Sequence, residues 1–146
     1  MSVTTLKKLV GEAGAGLDES NGSNRLYDVL KAFAEALSEM VSAHQATIAT
    51  ATIASVVVDK PTRLDSLRTA IGTTGTADST TVQVHKNGVS QGELTTANTE
   101  ADGTEKSATL AVDLVAGDLV ELVVSAAPTG GAALAATARM RPVVVE

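Results

Sequence analysis

Thr81-Val82-Gln83-Val84-His85-Lys86-Asn87-Gly88-Val89 is the stretch on which the reading of this chain turns. Its first half alternates with period two, which puts Val82 and Val84 on one face of a strand and Thr81, Gln83 and His85 on the other. Asn87-Gly88 follows, and a type I′ turn needs positive φ at both central residues, which Asn and Gly tolerate. The stretch therefore predicts a β-hairpin with one wet face.

Working outward, similar patterns recur from Thr47 to Val145, in a region dominated by Thr, Val, Ala and Gly. Expected strands are Thr47–Val58, Leu64–Ile71, Thr80–Lys86, Val89–Thr95, Ser107–Val112, Leu119–Ser125, Ala132–Met140 and Val143–Val145. Turn signals divide them: Lys60-Pro61, Gly72-Thr73-Thr74-Gly75, Ala101-Asp102-Gly103, Ala116-Gly117-Asp118 and Pro128-Thr129-Gly130-Gly131. Seven to eight short strands at this spacing predict a mainly β fold, an antiparallel β-sandwich or jelly roll.

Ahead of that domain (47–146) lie two zones of other character. Residues 1–23 read as an arm, with a short helix at Thr5–Val10 followed by the glycine-rich run Gly11–Gly16. Residues 24–46 read as an amphipathic α-helix in which Leu26, Leu30, Phe33, Leu37, Met40 and His44 fall at alternating spacings of four and three, a heptad seam. Tyr27, Ala34 and Val41 widen the stripe. The seam either lies on its own sheet or joins identical helices of other subunits. The presence of one convincing long helix favours the second arrangement, and these six residues are the expected oligomer interface.

Composition narrows the function. The chain holds one Phe, one Tyr and no Trp, so its core is aliphatic and platforms for stacking sugars or bases are scarce. A net charge of −6, with 17 acidic against 11 basic residues, argues against nucleic acid as a partner. The absence of cysteine excludes a disulfide scaffold and a thiolate metal site. No stretch approaches a membrane span and Met1–Val10 lacks the apolar run of a signal peptide, so synthesis in a cytoplasm is expected. His44 and His85 have no metal-motif spacing, Asp102-Gly103-Thr104-Glu105 lacks the ligand alternation of a calcium loop, and no nucleophile elbow, P-loop or dinucleotide fingerprint occurs. No catalytic, cofactor-binding or metal-ligating residue is assigned, and no enzyme is expected. A hydrolase built on strand-borne carboxylates ranks last.

Three segments carry a resemblance: Leu67 to Gly88, Leu114 to Leu122, and Gly131 to Arg139. In succession they resemble a pattern of virion structural proteins of tailed bacteriophages. There a strand leads through a Gly/Thr-rich loop to an alternating strand ending in Lys-Asn-Gly, followed later by Ala-Gly-Asp with another alternating strand and a closing strand. The match spans roughly residues 62–140 and leaves the first two zones uncovered. It departs in the closing strand, where Ala stands at five of the seven positions from Ala132 to Ala138 and the family has bulkier residues. The resemblance implies a phage particle component located on the virion, most simply a head decoration (cement) protein that binds the major capsid protein or another virion protein as a homotrimer. A tail, neck or fibre/baseplate module is the alternative.

Overall fold

A computed structural model of the chain describes residues 39–143. They form eight strands: β1 (Glu39–Thr47), β2 (Ala51–Val57), β3 (Thr62–Thr73), β4 (Ser79–Lys86), β5 (Val89–Ala97), β6 (Glu105–Leu114), β7 (Leu119–Ala126) and β8 (Ala132–Pro142). Two four-stranded sheets result, with orders β1-β8-β3-β6 and β2-β7-β4-β5, and every pairing is antiparallel.

The orders have a simple logic. First pairs with last (β1·β8), second with second-last (β2·β7), and so inward through β3·β6 to the hairpin β4·β5. The chain is thus one long antiparallel ribbon whose tip is the Asn87-Gly88 turn. Rolling the ribbon adds the pairings β3·β8 and β4·β7, which close each sheet. This is an eight-stranded jelly roll.

Alternation produces the core. Val82 and Val84 from β4, Val120, Leu122 and Val124 from β7, Leu64, Leu67 and Ile71 from β3, and Leu134 and Met140 from β8 are all buried between the sheets. Ala136 and Ala138 of β8 also point inward and are buried, so the alanine-rich closing strand lies beneath the opposite sheet. On β3 the alternation skips a step between Leu64 and Leu67. A β-bulge absorbs it, with two residues advancing along β3 from Leu64 to Ser66 while β8 advances one, from Met140 to Arg139. Arg63 and Arg68 consequently share the outer face despite their odd separation.

Seven of the expected strands stand, six of them extended by one or two residues at one end or both. At the hairpin Asn87 has φ 50 and Gly88 φ 80, as a type I′ turn requires. Three expectations need correction. The helix assigned to 24–46 does not hold for its last third: Glu39–Thr47 is strand β1, so the sandwich begins at Glu39 and not at Thr47. The strand expected at Thr47–Val58 is confined to Ala51–Val57, after a turn through Ile48. Val143 is not in a strand, and the rest of Val143–Val145 falls outside the described residues, as do the arm and residues 24–38.

The physical reason for the first correction is parity. Met40 and His44 are four apart, which places them on one face of a helix and equally on one face of a strand. Pairing with β8 decides between the two. Val41 opposes Ala138 and Ala43 opposes Ala136, which turns Val41 into the core and leaves Met40 and His44 outward.

Two substitutions test this packing. Leu122→Ala, at a fully buried position, should lower stability by about 2–5 kcal/mol. Glu121→Ala, one residue away on the wet face, should change it by less than about 0.5 kcal/mol. Denaturant unfolding of both variants measures the contrast.

Candidate functional site

Three polar constellations stand out on the jelly roll. The first closes one end, where the β4–β5 hairpin, the β6–β7 turn and the exit of β2 meet. Asp118 is at its centre and is buried. Its Oδ2 accepts from the Val115 backbone N–H at 2.8 Å and lies 3.0 Å from Lys86 Nζ. Its Oδ1 accepts from Asn87 Nδ2 at 2.7 Å, and Asn87 Oδ1 accepts in turn from the Leu119 backbone N–H at 2.8 Å. The Asp118 carbonyl accepts from Val58 N–H at 2.8 Å, which ties in the exit of β2. Both carboxylate oxygens of Asp118 are therefore engaged within the fold, and the constellation works as a clamp.

The clamp leaves an electrostatic mark. The carboxyl of Asp118 is lowered from 3.8 to about 2, chiefly by the Val115 N–H, then by the Asn87 amide and the Lys86 ammonium, against an opposing push from burial.

The second constellation runs across the outer face of β4 and its neighbours. His85 Nε2 lies 2.9 Å from Gln83 Oε1, and Gln83 Nε2 donates to Glu93 Oε2 at 2.8 Å. Thr81 and Thr95 join their hydroxyls at 3.0 Å. Such cross-strand pairs hold an exposed sheet together. Glu93 is occupied by the Gln83 amide and stands on an open sheet face.

The third is the outer face of the sheet β1-β8-β3-β6, and it carries Met40 and His44. Met40 is 65% exposed, Met40 and Arg139 are cross-strand partners, and His44 faces Ala135. Arg63 and Arg141 gather round Asp65 there: Arg141 Nε is 3.2 Å from Asp65 Oδ2, and Arg63 reaches Asp65 at 4.0 Å and Asp113 at 3.6 Å. Arg68 and Arg139 also point outward from β3 and β8. Around them the side chains are small, and a shallow depression of about 410 Å³ opens between Arg68, Glu105, Ala70, Ser107, Ala135 and Thr137.

Of the six residues expected at an oligomer interface, Met40 and His44 lie together on this face of β1, on a strand and not on a helical seam. Leu26, Leu30, Phe33 and Leu37 lie outside the described residues. Arg68 and Arg139 escaped the sequence reading because the bulge in β3 hides their shared face. Among the described residues no three His, Asp or Glu side chains gather as a metal-ligand set, and no helix is long and apolar enough to cross a membrane.

No protein-family model and no curated protein matches the sequence. Two solved structures are similar in architecture. One is the CBM36-1 domain of a multidomain xylanase from the hindgut metagenome of Trinervitermes trinervoides, with TM-score 0.41 and 15% identity over 74% of this chain and 99% of that one. The other is a family 35 carbohydrate-binding module from Clostridium thermocellum, with TM-score 0.40 and 12% identity over 75% of this chain and 95% of that one. Likeness at this level bears on neither ligand nor role.

The clamp makes a pH prediction. Because the folded carboxyl titrates below its ordinary value, its contribution to stability is complete above 3.8 and is lost as pH falls through about 2. Asp118→Asn, which keeps the shape and removes the charge, should be less stable than wild type at neutral pH. The gap should narrow as pH falls across that window. Thermal unfolding of both proteins along the acid series measures it.

Proposed function

We propose that this chain is a non-catalytic structural component of a tailed-phage particle. In the form favoured here it is a head decoration protein that sits on the capsid surface, binds the major capsid protein and stabilises the shell as a homo-oligomer, a trimer being the expected count. The observation that carries the reading is where the phage-like segments fall. Leu67 to Gly88 covers most of β3, the loop after it, β4 and the hairpin turn; Leu114 to Leu122 joins β6 to β7; Gly131 to Arg139 is most of β8. The segments are thus successive connected parts of a single rolled ribbon. Jelly rolls recur in viral capsid domains and also in lectins, so the fold agrees with the reading by analogy and the segments supply the choice.

Two further features support assembly over chemistry. The polar side chains best placed for chemistry are tied into the fold, Asp118 by its clamp and Glu93 by Gln83. Sugar recognition by stacking has no Phe, Tyr or Trp to use among the described residues, because Tyr27 and Phe33 lie outside them.

The test mixes the purified full chain with heads that lack it. Stoichiometric co-sedimentation and a higher temperature of head rupture are expected. Failure to bind heads overturns the decoration reading, and immunogold label confined to the tail on whole particles turns the choice to the tail, neck or baseplate alternative.

A further inference from the structure

We propose that the outer face of the sheet β1-β8-β3-β6 is a docking surface for a carboxylate-bearing protein, engaged by the guanidinium groups of Arg68 and Arg139. The chain carries −6 overall and holds five arginines, four of which (Arg63, Arg68, Arg139 and Arg141) are on this one face. The four are not equivalent. Arg63 and Arg141 are satisfied by Asp65 and Asp113. Arg68 and Arg139 are exposed and have no ion pair or hydrogen bond among the described residues.

Their placement is suited to binding. β3 and β8 are the two central strands of the sheet, so both cations lie near the middle of the face, where interface energy concentrates. Arg68 opposes Thr137 and Arg139 opposes Ser66, which makes the two arginines diagonal neighbours, about 7–8 Å apart at Cα. Two carboxylates on alternate positions of a strand, about 6.7 Å apart, match that spacing. Arginine presents a planar fork that meets a carboxylate with two parallel hydrogen bonds. Protein interfaces favour Arg and Met and disfavour Lys. Here Met40 is exposed beside Arg139, while Lys86 and Lys106 are engaged by Asp118 and Glu100. The small side chains around the pair let a partner approach closely, and the depression next to Arg68 has room for one of its side chains.

Charge also separates the candidate occupants. Nucleic acid draws its affinity from many phosphate contacts, and two arginines beside Asp65, Asp113 and Glu105 offer too few. A second copy docked by the same face would bring four arginines with it, while its Asp65 and Asp113 are already engaged by Arg141 and Arg63. An acidic protein surface fits both the sign and the spacing.

The test is a two-dimensional NMR titration of the full chain with poly-L-glutamate, observing backbone amides and arginine side-chain N–H groups. Saturable, salt-sensitive shifts are expected at Arg68, Arg139 and their neighbours on the outer face. The double variant Arg68→Ser with Arg139→Ser should weaken binding by roughly tenfold or more at an unchanged melting temperature. Arg68→Lys with Arg139→Lys, which keeps the charge and removes the fork, should fall between. Shifts centred elsewhere, equal affinity in the double serine variant, or duplex DNA binding the same face as tightly would each overturn the proposal. So would a dimer in solution that the serine variant abolishes, since the occupant would then be a second copy. That the natural partner belongs to a phage shell rests on the function proposed above. The titration uses no heads, so failure of either experiment leaves the other interpretable.

Discussion

The structure depends on one constraint: the space between two sheets must be filled without Phe, Tyr or Trp, chiefly by aliphatic side chains. With no Phe, Tyr or Trp among the described residues, the space between the sheets is filled by Leu64, Leu67, Ile71, Leu122, Leu134 and Met140, with valines and alanines between them. Aliphatic burial is non-directional and proportional to area, so it rewards whichever register brings every inward residue under the opposite sheet. A slip by one residue would expose the whole inward set of a strand. The ribbon pairing, the rolled sheets and the bulge in β3 all keep that set facing inward.

What the core does not specify, the ends do. Asp118 collects hydrogen bonds from Val115 and Asn87 and a charge from Lys86, and so joins the hairpin tip to the β6–β7 turn. At the opposite end Thr74 plays a comparable part, donating its backbone N–H to Asp102 Oδ1 at 2.9 Å and its hydroxyl to the Glu100 carbonyl at 3.1 Å. Gly75 follows with φ 91, and a Cβ there would lie 2.6 Å from the Thr129 carbonyl oxygen. The side chains with the richest hydrogen bonding are therefore structural, and Arg68 and Arg139, unpaired among the described residues, are left on a sheet face. That division of labour suits the assembly role proposed above.

Much of the fold was legible from Thr81–Val89 outward, because period-two alternation and Asn-Gly chemistry are local signals. The first strand was not. Met40 and His44 share a face at helical and strand spacing alike, and only the partner strand β8, about a hundred residues later, settles the matter. The Asp118 clamp was visible only in fragments, as two turn signals whose meeting depends on the roll of the ribbon. The arginine face was hidden more deeply. Arg63 and Arg68 differ by an odd number, so simple alternation sends them to opposite faces, and only the bulge at Asp65 reunites them. Pairwise register, not composition, carries the information about the candidate site.

The central claim is that this jelly roll is a part of a particle, turned toward its partner by one sheet. Cryo-electron microscopy of phage particles purified together with the chain tests it most directly. The account predicts density for an eight-stranded sandwich on the outside of the head, with the β1-β8-β3-β6 face against the shell. Particles without such density, or a sandwich seated by the opposite sheet, would contradict it.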